Sequence, residues 1–502
     1  MTLALAMSML IVSSAVSFAA VPTQQTIGNT APDADGNYTV SVASTDTHSY
    51  KVYQILTGTL VAGESKLGNP AWGLDAVGGE NNDVKAFIDS LNAENLSNAA
   101  INDLVKAQLK SNAAGRGTVD KDHSLKVAPG YYLIVDTTES LEDGDAYSLN
   151  LVAVFNNIEI TPKKGTTQSD KKVDDVNDSN DSQDAVTWED SADYDLGDDV
   201  PFRLTATIAE DYANYTHGYR LTFHDKQSAG LTFKPETVEV FVDGEKITEG
   251  YEVVTEGLTA PETFQIRFAN LKDISSVAAN SVITVTYKST LTGDAVVYGN
   301  DGNPNTSYVT YSNNPNEEQV GENGKTPDDT VVVFVYKVEI DKVDPKGQPL
   351  AGAVFTLEKK LANGSTKSYG SVTLDEQGTK FEFKGLDDGD YILTETTTPT
   401  GYNTIAPIEF TVSATHNQDV APNALKLITL TATGLEKNSD GTDATTSGNV
   451  GTGLIKANIV NEEGAELPST GGIGTIIFYV LGSLLVVGCG IVLISKRRME
   501  SR

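Results

Sequence analysis

Three polar residues each continue the apolar face of a predicted β-strand: Lys342, Glu395 and Asn461. Alternate residues of a strand point to the same side of a sheet. By this parity Lys342 follows the apolar face of residues 336–340. Glu395 follows that of residues 391–393, and Asn461 ends the last such strand in the same way. Because a lone charge on a buried face costs several kcal/mol, we expect these groups to act together.

These three groups can react with one another when they are held out of water. Desolvation lowers the pKa of a lysine and raises the pKa of a carboxyl group, so both can be neutral. A neutral Lys342 amine could attack the Asn461 side-chain amide, expel ammonia and leave an isopeptide bond. Glu395 would act as acid and base without joining the product. Side chains fixed side by side have a high effective concentration, so the reaction needs no external enzyme.

The strand that carries Glu395 resembles the E-box of CnaB-type isopeptide domains. The similar stretch is 391–402, in which Thr398 stands where that family usually has alanine. The resemblance covers essentially the whole region 334–463. It implies a β-sandwich in which the lysine, asparagine and glutamate take the three roles described above.

A looser version of the pattern precedes this region. Asp225 follows one apolar strand face, Asn313 follows that of a later strand, and Lys171 shares parity with an apolar neighbour. The segments 223–233 and 303–315 resemble the fimbrial isopeptide-forming D2 domain. The resemblance implies that Lys171 is the nucleophile, Asn313 the amide, and Asp225 the acid and base. The adjacent alternatives are Lys172 and Asn314.

Another lysine stands just outside a strand. The alternating residues 158–160 are followed by Pro162, which cannot donate a ladder hydrogen bond, and then by Lys163. This ending resembles the pilin motif of Gram-positive backbone pilins, in which the lysine supplies the amine for polymerisation. Thr161 stands where the family often has an aromatic residue, and Lys164 could compete as the nucleophile.

The segment 464–502 contains three elements in series. An apolar stretch of residues 473–494 is long enough to cross a membrane, and a basic cluster after it would keep that end in the cytoplasm. The element before it is the pentapeptide Leu467, Pro468, Ser469, Thr470 and Gly471. The series resembles the cell-wall sorting signal of Gram-positive surface proteins, in which a sortase cleaves between the residues that here are Thr470 and Gly471.

The region 21–165 shows related strands but a different polar pattern. Asp136 falls at the position of Glu395 in a similar local sequence, yet no lysine follows an apolar face there. We therefore predict a related β fold without a confident cross-link. Helical spacing of apolar residues predicts two short amphipathic helices within 83–109.

Composition points to an exported structural protein. The chain has 36 basic and 69 acidic residues and a net charge of -33, which disfavours nucleic acid and anionic lipid as partners. Residues 1–20 are typical of a signal peptide, although no basic residue precedes the apolar part. The only cysteine, Cys489, lies in the segment that sorting would remove, so disulfides cannot stabilise the exported part.

The predicted fold class is all-β. We expect tandem immunoglobulin-like (Cna-type) β-sandwiches, a few short helices in the N-terminal domain and a C-terminal transmembrane helix. The predicted limits are 1–20 for the signal peptide, 21–165, 166–333 and 334–463 for the three domains, and 464–502 for the sorting signal. The acidic run 174–184 lacks the glycine and terminal glutamate of a calcium loop, and we predict no metal site and no cofactor.

The sequence favours the major subunit of a covalent pilus, joined between Thr470 and Lys163 by a pilin-class sortase. The partners would be neighbouring copies of the chain, peptidoglycan, accessory tip or base pilins, and host surface proteins. An alternative is a monomeric wall-anchored adhesin that binds a host protein. A wall hydrolase is disfavoured, because the five histidines show no metal-ligand spacing and no G-x-S-x-G motif occurs.

Overall fold

The computed structural model confirms that the chain is built mainly from β-strands. Two short helices lie in the N-terminal region, as predicted from apolar spacing. The structure describes residues 25–26, 30–61, 66–78, 83–91, 98–139, 141, 145–160, 166–180, 186–293, 296–315, 321, 324–418, 424–464 and 473–499.

The first region consists of two sheets and two helices. Its strands are β1 (Gln25–Thr26), β2 (Tyr38–Val42), β3 (Tyr50–Leu60), β4 (Leu67–Trp72), β5 (Gly117–Val119), β6 (Leu125–Val127), β7 (Gly130–Asp136), β8 (Leu149–Val154) and β9 (Ile158–Ile160). One sheet has the order β1-β9-β2-β6, and the other has β4-β3-β7-β8 with β5 beside β3. The helices are α1 (Val84–Leu91) and α2 (Asn98–Lys106), which pack on a second apolar cluster with Phe87 and Leu91 buried.

The second region is a sandwich of two larger sheets. Its strands are β10 (Gln168–Asp174), β11 (Trp188–Glu189), β12 (Ser191–Asp193), β13 (Asp199–Thr207), β14 (Leu221–Gln227), β15 (Leu231–Val242), β16 (Glu245–Ile247), β17 (Glu252–Val254), β18 (Phe264–Phe268), β19 (Val282–Leu291), β20 (Asn303–Tyr311), β21 (Gly324–Lys325) and β22 (Asp329–Phe334). The orders are β11-β10-β13-β19-β15-β16 and β12-β22-β20-β14-β18-β17. Short 3₁₀ helices occupy Tyr212–Asn214 and Leu271–Asp273.

The third region repeats the sandwich at smaller size. Its strands are β23 (Tyr336–Val343), β24 (Val354–Lys360), β25 (Thr366–Tyr369), β26 (Val372–Thr373), β27 (Lys380–Leu386), β28 (Gly389–Thr397), β29 (Ile408–His416), β30 (Leu427–Lys437), β31 (Asp443–Ser447) and β32 (Leu454–Val460). The sheet orders are β26-β27-β23-β32 and β25-β24-β28-β29-β30-β31. Alternating burial along these strands encloses a single apolar cluster between the sheets.

The C-terminal helix α3 (Ile473–Met499) stands apart in composition. Among the described residues it is the one helix that is long and apolar enough to cross a membrane. Its last turn carries Lys496, Arg497 and Arg498. The predicted transmembrane helix is thus confirmed as a helix of sufficient length and apolar character.

The second and third regions are joined by hydrogen bonds as well as by the chain. The Ala362 N–H donates to the Asp178 carbonyl at 2.9 Å, and the Leu196 N–H donates to the Gly385 carbonyl at 3.0 Å. Residues from the acidic run 174–184 and from the loop after β12 therefore lie against the third region. This junction contains polar groups that become important below.

Candidate functional site: buried lysines beside carboxyl and amide groups

Strand pairing brings Lys342, Glu395 and Asn461 together in the core of the third region. Lys342 lies opposite Ile459 in the parallel pair β23–β32, and the Asn461 N–H donates to the Val343 carbonyl at 3.3 Å. Glu395 reaches the pair from β28 in the other sheet. Lys342 and Asn461 are fully buried, and Glu395 is 5% exposed. The amine and the amide therefore end adjacent strands on the same inner face.

The Asn461 side chain is anchored by its amino group. Nδ2 donates to both Glu395 carboxylate oxygens, at 2.9 and 3.0 Å, and to the Asn403 carbonyl at 3.0 Å. Its buried oxygen Oδ1 accepts no hydrogen bond from any described residue. The amide is thus held by its amino group, while its carbonyl oxygen has no hydrogen-bond donor among the described residues.

The Lys342 amine has the properties of a nucleophile. Burial lowers the pKa of Lys342 to about 8, although the Glu395 carboxylate opposes the shift. Nζ donates to the carbonyls of Ile459 at 2.9 Å and Val343 at 3.1 Å, which fix its position. A lysine with this pKa is partly unprotonated at neutral pH, and only the neutral amine can attack a carbonyl. The cluster thus contains an amine, an amide and a carboxyl group, the three groups that the predicted cross-link requires.

Lys171 and Asp225 form a similar buried pair in the second region. Nζ donates to Asp225 Oδ2 at 2.6 Å and to Tyr287 Oη at 3.0 Å, and that hydroxyl donates to the same carboxylate oxygen at 2.7 Å. Burial lowers the pKa of Lys171 and raises the pKa of Asp225, the directions that favour a neutral pair. The neighbouring Lys172 lies nearer the surface and contacts Asp190 at 2.5 Å.

The structure does not bring Asn313 to this pair, and this prediction is wrong. Asp225 lies opposite Ser307, six residues before Asn313, which corresponds to about 20 Å along a strand at about 3.3 Å per residue. Asn313 instead lies toward the first region, where the Tyr147 N–H donates to its carbonyl at 2.9 Å. The adjacent Asn314 is excluded by the same distance. Parity identified the correct face but not the level along the strand.

The amide beside the second pair is Asn305. It lies opposite Gln227 in the pair β14–β20 and is fully buried. Nδ2 donates to Tyr287 Oη at 2.9 Å, whereas Oδ1 accepts no hydrogen bond from the described part of the chain. Asn305 therefore shares both features of Asn461, an anchored amino group and an open carbonyl. The signal for it was present in the sequence, because Asn305 has the same parity as the buried Val309.

Sequence reasoning missed a third buried lysine, Lys359 on β24. Its Nζ contacts the carboxylates of Asp178 and Asp387 and lies 3.3 Å from Asp195 Oδ2. Burial lowers the pKa of Lys359, but the attraction of these carboxylates outweighs it and raises the pKa overall. Lys359 consequently stays charged. It is an ion-pair partner at the junction of two regions.

In the first region Asp136 faces a histidine. His48 Nδ1 donates to Asp136 Oδ2 at 2.6 Å, and His48 Nε2 lies 3.5 Å from Asp145 Oδ2. Within the described residues, no lysine nitrogen lies within 4.0 Å of the Asp136 carboxylate. The hydrogen bond to Asp136 raises the pKa of His48 against the effect of burial. That the first region has no isopeptide bond stays a prediction.

Several predicted residues lie outside the described ranges: Lys163, Lys164, Leu467 to Gly471, and the signal peptide 1–20. The chain on either side of the predicted pilin motif belongs to folded regions. Ile160 ends β9 within a sheet of the first region, and Thr167 Oγ1 lies 2.7 Å from Tyr219 Oη of the second. The motif therefore connects two folded regions.

Two protein families match parts of the chain. Residues 336–424 match the SpaA prealbumin-like fold domain, and residues 459–501 match the LPXTG cell wall anchor motif of Gram-positive bacteria. The first match contains Lys342 and Glu395, and the second contains Asn461. The anchor match and the apolar helix α3 fit attachment to the cell wall after a transient membrane stage.

Similar proteins are pilins. The trypsin-resistant surface T6 protein of Streptococcus pyogenes serotype M6 is 27% identical over 356 residues, which is 60% of this chain and 65% of that protein. The solved T6 backbone pilin of S. pyogenes is 18% identical with a TM-score of 0.49, covering 86% of this chain and 98% of that one. The major pilin SpaA of Corynebacterium diphtheriae is 15% identical with a TM-score of 0.42, covering 85% and 100%.

The anchor, the prealbumin-like domain and the T6 relative together confirm the resemblance to sortase-assembled backbone pilins that the sequence predicted.

Proposed function

We propose that this chain is the major subunit of a covalently polymerised pilus, stabilised by internal isopeptide bonds. The observation that carries the proposal is the buried Lys342–Glu395–Asn461 cluster upstream of an LPXTG anchor. A fibre under tension needs strands that cannot separate, and the exported part has no cysteine with which to link them. An internal amide between distant strands meets this need without an oxidant.

The internal reaction is balanced within the cluster. The lone pair of the neutral Lys342 amine attacks the side-chain carbonyl carbon of Asn461, and Glu395 relays the proton from the amine to the departing nitrogen. The C–N bond of the carboxamide breaks, ammonia leaves, and an Nζ–Cγ amide remains. The second region would close a bond between Lys171 and Asn305 in the same way, with Asp225 as the relay.

The intermolecular reaction would use the sorting signal at the C-terminal end of one copy and the lysine between the first and second regions of the next. A pilin-class sortase would cleave after Thr470 and hold the new carboxyl end as a thioester. The amine of Lys163 on a neighbouring copy would then displace the enzyme, which joins copies head to tail in a contact that does not close on itself. Peptidoglycan would accept the final subunit, and accessory pilins or host surface proteins would complete the partners. In this proposal the exported chain is divided into three domains with the limits 21–165, 166–333 and 334–463.

Replacing the predicted nucleophile tests the polymer directly. Lys163→Ala should abolish the high-mass ladders that the parent gives after boiling in denaturant, because no amine would resolve the thioester. Lys164→Ala is the matched control and should leave the ladders intact. Ladders that persist in the first variant and vanish in the second would assign the role to Lys164. A parent without ladders would favour the monomeric wall-anchored adhesin.

A further inference from the structure

The junction between the second and third regions contains two neighbouring carboxylate clusters. In one of them, Asp178, Asp195 and Asp387 surround the Lys359 ammonium group. In this cluster the carboxylates that the junction removes from water have cationic partners, Lys359 for all three and Lys367 for Asp195 as well. The second cluster lies beside it and shares the same chain segments, but it is built differently.

The second cluster consists of Asp175, Asp193 and His416. Their ligand atoms lie within 4.8 Å of one another, and His416 Nε2 is 3.8 Å from Asp175 Oδ2. Asp193 is 4% exposed. In the described part of the chain, no lysine or arginine nitrogen lies within 4.0 Å of either carboxylate. The nearby Asp388 carboxylate repels the negative charge on both of these carboxylates.

The histidine is oriented for a ligand at Nε2. Its Nδ1 lies 2.7 Å from Ser191 Oγ and 3.1 Å from Gln418 Nε2, so Nδ1 is used within the junction. Ser191 Oγ in turn donates to the Asn417 carbonyl at 3.1 Å. Because Gln418 Oε1 accepts from the Asp190 and Ser191 N–H groups, its amino group donates to Nδ1 in the metal-free chain. A metal bound at Nε2 would move the ring proton to Nδ1, which would then donate to Ser191 Oγ. Metal-binding histidines commonly show this second-shell arrangement.

The hydroxyl of Tyr336 is completely buried and forms a hydrogen bond with the Asp193 carboxylate. Carboxylates that bind a metal are commonly held by such an outer-shell partner. Two carboxylates and an imidazole, with a buried hydroxyl aimed among them, form a donor set that suits a divalent transition-metal ion and not calcium, because calcium prefers oxygen ligands.

We propose that Asp175, Asp193 and His416 bind one divalent transition-metal ion, of the Zn²⁺ type, that clamps the second region to the third. The ion would do in this cluster what the Lys359 ammonium does in the adjacent one. The ligands come from the end of β10, from β12 and from the end of β29, so the site exists only when the two regions are docked. This explains why no local motif in the acidic run 174–184 marks it.

The test uses the intact chain, purified in detergent and freed of metal with a chelator. Zn²⁺ is then titrated into a buffer that contains excess Mg²⁺, which occupies weak, non-specific cation sites. The parent should bind one Zn²⁺ per chain and unfold at higher temperature with the metal. His416→Gln and Asp193→Asn should each weaken binding about a hundredfold or more, since even outer-shell partners contribute ten- to hundredfold. His123→Gln is the control, because His123 is an exposed histidine beside Asp120 in the first region.

Asp193→Asn also gives a readout that survives any change in folding. Removing a buried charge should raise the unfolding temperature of the metal-free chain, while the increase caused by Zn²⁺ disappears. A parent that binds no stoichiometric Zn²⁺ would overturn the proposal. So would equal Zn²⁺ binding by the parent and both ligand variants, or stabilisation of the parent by lower pH but not by the metal.

Discussion

Lys171 and Asn305 share one hydrogen-bond partner, the hydroxyl of Tyr287, in the core of the second region. Asp225 accepts from that hydroxyl and from the lysine, so four side chains form one buried network. In the third region the amide is instead held directly by Glu395. The two clusters thus reach a similar juxtaposition of amine, carboxyl and amide with different anchors for the amide.

The masses of variants can separate Asn305 from Asn313. The processed parent should weigh about 34 Da less than its residues sum to, because each bond releases one ammonia of about 17 Da. Asn305→Ala should recover about 17 Da, since it removes the electrophile that faces Lys171. Asn313→Ala is the control and should keep the full loss, because its side chain lies far from the lysine. A recovery of about 17 Da in Asn313→Ala alone would restore the original assignment.

The pKa of Lys342 predicts how the closure of its bond depends on pH. With a pKa of about 8, the neutral fraction of the amine rises about tenfold between pH 7 and pH 9. In a cell-free synthesis followed by intact mass over time, the loss of ammonia assigned to Asn461 should therefore be faster at pH 9. Glu395→Gln should abolish this loss of ammonia at both pH values, because the glutamine side chain cannot relay protons. A rate that is independent of pH would argue against attack by a desolvated amine.

Much of this arrangement was accessible from alternation alone. Parity placed Lys342, Glu395 and Asn461 on inner faces, and the parallel pairing β23–β32 places Lys342 opposite Ile459, two residues before Asn461. The same rule selected Lys171 over Lys172. The burial of these side chains follows parity, because a side-chain period of two is a property of every strand and does not depend on which strands are neighbours.

Register and docking could not be obtained from the sequence. Asn305 and Asn313 share parity, and only the pairing of β14 with β20 decides which of them lies near Lys171. Lys359 lies on the same face of β24 as the buried Phe355 and Leu357. Lys342 likewise lies on the buried face of β23. The Lys359 partner Asp195, however, belongs to another region, so the role of Lys359 depends on a junction that no local pattern encodes.

His48 should make the stability of the first region depend on pH. Its pKa is raised above the ordinary 6.5, chiefly by the hydrogen bond to Asp136, with Asp46 and Asp145 also contributing. A raised pKa stabilises the fold below 6.5, and this stabilisation is lost as the pH rises through the folded-state value. Calorimetry should therefore show a higher unfolding temperature for this region at pH 6 than at pH 8. His48→Gln should reduce the difference, whereas an unchanged difference would contradict the assignment.

Lys359 should stabilise the junction without forming a covalent bond. Lys359→Met leaves the carboxylates of Asp178 and Asp387 without their lysine partner, and removing one partner of a buried ion pair costs about 3–5 kcal/mol. The free energy of unfolding of the second and third regions, measured by denaturant, should fall by that order. Lys360→Met is the matched control, because Lys360 pairs with the exposed Glu409, and it should change stability by about 0.5 kcal/mol or less. Neither variant should alter the ammonia loss. A recovered mass of about 17 Da in Lys359→Met would instead make Lys359 a third cross-linking amine.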